Sequence, residues 1–216
     1  MYSTPLKSKI DKNRASFLLS ILIKPEEKIK YAFCTDLLIE NSLFNKENEY
    51  YFYDPVLIEF WVNYNNNRKY LYSTVQRHIK MDKDIIQDCI NNIQDSTPIN
   101  RSSLTFLSNN LSEGHMYGSE ITKEPDYENL PKLFTRTNKI TQFKTIKEFS
   151  SDSSAVILEC LSCVSYTKEV FSYFNRVITE SDNIFVLTDN LTFKNKFQKH
   201  IHINDQYYLC YQKESR

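Results

Sequence analysis

Cysteines three apart and histidines two apart are the first side chains here whose type and spacing could do chemistry. Cys160-Leu-Ser-Cys163 has the spacing of half a zinc site, which needs both thiols on one side and a second ligand pair. Its apolar surroundings predict a strand, and on a strand side chains three apart point to opposite faces. The motif is therefore set against two packed thiols, the commoner fate of such cysteines. His200 and His202 are two apart in an alternating run, so they share a strand face and could offer two imidazoles to a metal. No third ligand is evident, and a solvated strand face is the competing reading. Glu159 lies among apolar residues. Facing inward in a cavity, it could act as a general base with a raised pKa; facing outward, it is an ordinary surface carboxylate. No GxSxG and no Cys-His pair in a recognisable setting occurs. The chain is accordingly expected to be non-enzymatic, with no catalytic residue, cofactor or metal.

Residues 73–93 can be read as a helix-turn-helix, with Val75, Ile79, Ile85, Ile86 and Ile90 as its apolar spacing. The second helix would carry Asp82, Asp84 and Asp88 toward phosphates, which opposes that reading. Lys plus Arg equals Asp plus Glu at 27 each, so a basic excess of the kind nucleic-acid binders show is absent. Only Gly114 and Gly118 occur, which removes the glycine-rich phosphate loops GxGxxG and GxxxxGK[ST]. No apolar run approaches a membrane span, and the polar start has no signal-peptide core. Five cysteines, an odd number in a chain read as intracellular, are expected as free thiols.

The elements that must position these residues follow from periodicity and turn chemistry. Residues 10–44 read as helical, with Phe17, Leu18, Ile21 and Leu22 at helical spacing and Pro25 opening a second stretch. The polar run 45–49 is the expected boundary. Asp54 and Pro55 fit the cap and first position of a helix over 54–72, interrupted at Asn65-Asn66-Asn67. A short amphipathic helix is expected over 82–93, behind an Asp82 cap. Residues 94–132, rich in Ser, Asn, Thr and Pro, read as loop with a short strand at 104–107. Five strands are then expected over 140–149, 156–164, 171–178, 184–188 and 200–211. Helices followed by consecutive strands joined by short turns imply an α+β fold, with helices packed on an antiparallel sheet.

The strand region holds Val170-Phe-Ser-Tyr-Phe-Asn-Arg-Val-Ile, a turn, and Asn183-Ile-Phe-Val-Leu-Thr-Asp-Asn-Leu-Thr-Phe193. With these segments it resembles the nuclear transport factor 2-like family. Within that family, Glu59-Phe-Trp-Val-Asn-Tyr-Asn-Asn-Asn-Arg68-Lys-Tyr-Leu71 and Leu133-Phe-Thr-Arg-Thr-Asn-Lys-Ile140 are similar to elements of the heterodimeric messenger-RNA export receptors of the NXF/TAP group. The resemblance implies a bent, cone-shaped antiparallel sheet over residues 49–216, preceded by a helical extension over 1–48. It implies a protein-binding module at the nucleus or nuclear pore and in the cytoplasm. The module would pair through its sheet with a second subunit of the same fold, contact phenylalanine-glycine nucleoporins, touch RNA only indirectly or weakly, and bind no membrane. Arg68, Phe171, Tyr173, Phe185 and Asp189 would be its partner-binding residues. The alternatives are a cavity-containing enzyme or scaffold of the same fold, and a winged-helix nucleic-acid-binding protein.

Overall fold

The computed structural model describes residues 10–32, 47–112, 120–122, 142–150, 152, 154–161 and 167–213. These fall into two compact units: a sheet unit from 10–53 and 140–216, and a helical unit from 54–139. Among the described residues, seven helices occur: α1 (Lys12–Leu22), α2 (Pro55–Asn66), α3 (Arg68–His78), α4 (Lys83–Asn91), α5 (Pro98–Leu111), α6 (Lys168–Glu180) and α7 (Leu191–Lys194). Seven strands form one sheet: β1 (Ile29–Ala32), β2 (Glu49–Phe52), β3 (Phe143–Thr145), β4 (Ala155–Cys160), β5 (Ile184–Thr188), β6 (Lys199–Asn204) and β7 (Tyr207–Gln212).

The spatial order is β3-β2-β1-β4-β5-β7-β6. Strands β3, β2, β1, β4 and β5 run parallel, with Tyr31 opposite Tyr50 on one side and opposite Ile157 on the other. Only β7 is reversed, lying antiparallel to both β5 and β6. The chain thus starts in the middle, steps outward to β2 and β3, returns across the sheet to β4, and continues the other way. This is a doubly wound sheet whose direction reverses between β1 and β4.

The sequence of the central strands explains why they sit there. Ala-Val-Ile-Leu-Glu-Cys in β4 and Ile-Phe-Val-Leu-Thr in β5 are buried at every position. Continuous apolar runs are what parallel strands covered on both faces require. Helix α6 starts at Thr167, whose hydroxyl accepts from Val170 N at 3.3 Å. Its Val170, Phe174 and Val177, spaced i, i+4 and i+7, are buried in one cluster with Val156, Leu158, Ile184 and Val186. Full burial of a side chain such as Phe174 stabilises the unit by about 2–3 kcal/mol.

In the helical unit, Asp54 caps α2 by accepting from Val56 N at 2.8 Å, with Pro55 in the first turn, as expected. Asn67 ends α2 and precedes α3, so the asparagine run does interrupt the helix. Helix α5 is buried from Ser102 to Leu111 and touches α2, α3 and α4. Arg101 clamps Glu59 of α2 with two hydrogen bonds, 2.7 and 3.1 Å, and Asn63 donates to Ser102 Oγ at 3.0 Å.

The coarse expectation of helices and strands in one chain holds, as does the strand at 184–188. The antiparallel sheet does not: four of the six strand pairings are parallel, and antiparallel pairing is confined to β5, β7 and β6. One misassigned element accounts for most of this. Residues 171–178, expected as a strand from their aromatic and β-branched content, lie within α6. A helix between β4 and β5 is a crossover, and a crossover makes its flanking strands parallel. Residues 29–32 form β1 rather than a helix, and pair with β4. Residues 29–32 therefore belong to the sheet. Residues 98–111 form α5 rather than loop or strand, because its small polar side chains bond inside the helix. Ser102 Oγ donates to Pro98 O at 3.0 Å, Thr105 Oγ1 to Arg101 O at 2.8 Å, and Asn110 Nδ2 to Phe106 O at 3.0 Å. The alternating run 200–211 is two strands with a turn at Asp205 and Gln206. The expected strand at 140–149 is shortened to β3 followed by a 3-10 turn, Ile146–Glu148. Calls on residues 33–44, 133–141 and 162–166 lie outside the described residues.

Candidate functional site at the sheet's switch point

Each strand of a doubly wound sheet presents its carboxyl end to the same edge, and the crevice opens where the winding reverses. Here that place is the carboxyl end of β1 beside that of β4. Tyr31 and Ile157 are partners across this junction, so Tyr31 and Glu159, two residues further along β4, share a sheet face. The Tyr31 hydroxyl donates to Glu159 Oε1. Both residues are almost wholly buried, Tyr31 at 2% and Glu159 at 1% exposure. The ring of Tyr31 is held edge-on against Tyr50 of β2, centroids 6.2 Å apart. Glu159 is opposite Leu187 of β5. A carboxylate is thus held in an apolar layer at the switch point, where its charge persists only with hydrogen-bond donors around it.

The end of β5 is tied to the same edge. Thr188 Oγ1 donates to the carbonyl of Cys160 at 2.8 Å and accepts from Asn190 N at 3.0 Å. Asp189, half-buried, follows directly. Cys160 points to the opposite face, in the core against α6. Burial, with Glu159 second, pushes its thiol well above the ordinary range, so it is no nucleophile.

A second polar group lies in the sheet unit at the β1–β2 side. Glu49 meets Lys28 at 3.1 Å and Lys144 at 3.2 Å, and accepts from the Tyr51 hydroxyl at 2.6 Å. Burial opposes its charge, but these three donors outweigh burial and hold its pKa at about 2. Lys30, its side chain 3% exposed, pairs with Asp152 at 2.8 Å and donates to the carbonyl of Ser150 at 2.6 Å. These charges are mutually satisfied, which marks a structural network rather than a reactive one.

The residues expected to bind a partner fall in both units and differ in exposure. Phe185 is fully buried in β5, its ring stacked 6.2 Å from Tyr211, so it offers nothing to an approaching chain. Phe171 and Tyr173 are half-buried on α6, not on a strand. Phe171 stacks on Phe193 at 5.6 Å, and Tyr173 lies 6.2 Å from Tyr53. Asp189 is at the carboxyl end of β5. Arg68 belongs to the helical unit, where it donates to the carbonyl of Tyr64 at 3.1 Å and lies 4.3 Å over that ring. His200 and His202 do share an exposed face of β6, against Tyr208. Among the described residues no group of three His, Cys, Asp or Glu side chains could hold a metal ion. No helix among them is long and apolar enough to cross a membrane.

Sequence reasoning singled out Glu159 but not Tyr31, which it placed in a helix. The signal for Tyr31 was the short run Ile29-Lys-Tyr-Ala32 just after the turn that Pro25 opens. No family model matches the chain, and no curated protein matches it.

Proposed function

We propose that the sheet unit binds a small nucleoside-type ligand without a pyrophosphate, in the crevice at the carboxyl ends of β1 and β4. The reading rests on one observation: the buried Tyr31–Glu159 pair stands at the point where a doubly wound sheet reverses direction. The strand order, with the reversed β7 between β5 and β6, is also that of the S-adenosylmethionine-dependent methyltransferase sheet. That likeness is one of fold, and fold alone does not assign chemistry. The residues themselves select among nucleosides. A buried carboxylate favours a cationic group or hydroxyl and amino donors, and repels phosphate. Between β1 and β2 the sequence holds no glycine, so the close backbone approach that cradles a pyrophosphate has no support. S-adenosylmethionine, with its sulfonium and ammonium charges, fits this donor set; NAD and ATP do not. Glu159 would accept from the ligand and Tyr31 would orient the carboxylate.

This departs from the cone-shaped heterodimer that the sequence resemblance implies, which relies on an open antiparallel sheet face. Strands β4 and β5 are buried at every position and offer no open face themselves. A thermal-shift panel of S-adenosylmethionine, S-adenosylhomocysteine, NAD and ATP tests the proposal. Stabilisation by the two adenosyl sulfur compounds and not by NAD or ATP is expected. Stabilisation by NAD or ATP, or by none of the four, would overturn it.

A further inference from the structure

The charge of this chain sums to zero, yet its cations are not spread evenly. The stretch from Arg68 to Lys80 holds Arg68, Lys69, Arg77 and Lys80 and no acidic residue. Helix α3 turns these residues into a surface. Its inner side buries Leu71, Thr74 and Val75. Its outer side exposes Lys69, Tyr70, Ser73, Gln76 and Arg77, with Lys80 exposed in the turn that follows. At 100° per residue the five on the helix lie within roughly a third of its circumference. Arg68 is turned away onto Tyr64 and is not part of the face.

None of the three cations on this face is in an ion pair among the described residues; the Arg77 guanidinium donates only to Thr74 Oγ1, at 3.2 Å. Each of the four ion pairs among the described residues uses other cations: Lys28, Lys30, Arg101 and Lys144. Tyr70 is 59% exposed, an unusual position for an aromatic ring on a helix that already buries its apolar stripe. Among the described residues, Asp82, Asp84 and Asp88 lie on or beside α4 rather than on α3.

We infer that the outer face of α3 docks against double-stranded DNA. The arrangement of the face favours a groove over a flat acidic protein. Lys69 stands in the first turn of α3 and Arg77 in its last, about 12 Å apart along the axis at 1.5 Å per residue, with Lys80 in the turn just beyond. The neutral hydrogen-bonding side chains Ser73 and Gln76 lie between them. A major groove about 12 Å wide admits one helix, with phosphates on either rim and base edges in the middle. Terminal cations and central amide and hydroxyl groups match that order. The deep, narrow groove of double-stranded RNA would not admit the helix. This inference does not depend on the ligand assigned to the sheet unit.

The test is fluorescence anisotropy of the full chain with a labelled 20-base-pair DNA duplex across a salt series. Three phosphate contacts predict a slope of log K against log salt of about −3. The variant combining Lys69→Gln, Arg77→Gln and Lys80→Gln should lose most of the affinity and flatten the slope toward zero. Lys69→Gln alone should reduce the slope by about 1, which keeps the comparison available if the triple variant folds poorly. Lys83→Gln on α4 should change neither quantity. No salt-dependent binding, an unchanged slope in both variants, or tighter binding to single-stranded DNA or duplex RNA of the same sequence would overturn the inference. An S-adenosylmethionine thermal shift unaltered by these variants keeps the two proposals separable.

Discussion

Removing one oxygen from Tyr31 asks whether the Tyr31–Glu159 contact governs the switch point. In Tyr31→Phe the ring keeps its packing against Tyr50, and Glu159 loses a donor while remaining buried. A hydrogen bond to a charged group contributes about 1.5–3 kcal/mol. Stranding a buried charge completely costs about 3–5 kcal/mol. Glu159 keeps other interactions, so the lower range applies, and about 2 kcal/mol is expected. For a chain of this size that lowers the melting temperature by roughly 4–8 °C. Urea denaturation followed by far-ultraviolet circular dichroism reads the change. Glu159→Gln retains an acceptor for the hydroxyl and should cost less than Tyr31→Phe. In the double variant the two effects should fail to add, with a coupling of about 1–3 kcal/mol. A Tyr31→Phe effect below about 0.5 kcal/mol, or strict additivity, would refute the reasoning, because independent sites behave that way.

Other outcomes follow from the same structure. Phe174→Ala in α6 empties a site at 0% exposure between the helix and β4–β5, and should cost about 3–5 kcal/mol by chemical denaturation. Glu49 titrates at about 2 in the folded chain, below its unfolded value, so its contribution is present above about pH 4.5 and is lost as pH falls toward 2. After discounting for solvent screening that contribution is about 1–2 kcal/mol, and in Glu49→Gln the acid limb of the stability curve should flatten over that window. Arg101→Ala breaks both hydrogen bonds to Glu59 and those to the carbonyls of Ser96 and Gln94, and should lower the melting temperature while Arg101→Lys restores only part.

Much of the helical unit was legible because its signals are local. Asp54-Pro55 starts α2, the asparagine run ends it, and the isoleucines of 85–93 mark α4. Helix α5 was not legible: its serines, threonines and asparagines carry a loop's composition, and only tertiary burial with bonds back to its own carbonyls makes them helical. In the sheet unit the decisive error was one of period. Phe171, Tyr173 and Ile178 suggest a strand, but Val170, Phe174 and Val177 are the residues that α6 buries, at helical spacing. Reading that segment as a strand made its neighbours antiparallel and hid the doubly wound order. Glu159 could be singled out because a carboxylate in an apolar run is conspicuous. Its partner could not, because Tyr31 and Glu159 are 128 positions apart and meet only through β1–β4 pairing.

The most direct measurement of the central claim is isothermal titration of S-adenosylmethionine into the full chain and into Glu159→Gln, both first shown to melt as folded proteins. The account predicts saturable one-to-one binding to the natural chain that weakens at least tenfold in the variant, the loss of one charge-assisted contact of about 1.4 kcal/mol or more. Equal affinity in the two proteins, or no heat of binding in either, would contradict the assignment of a ligand site to the Tyr31–Glu159 switch point.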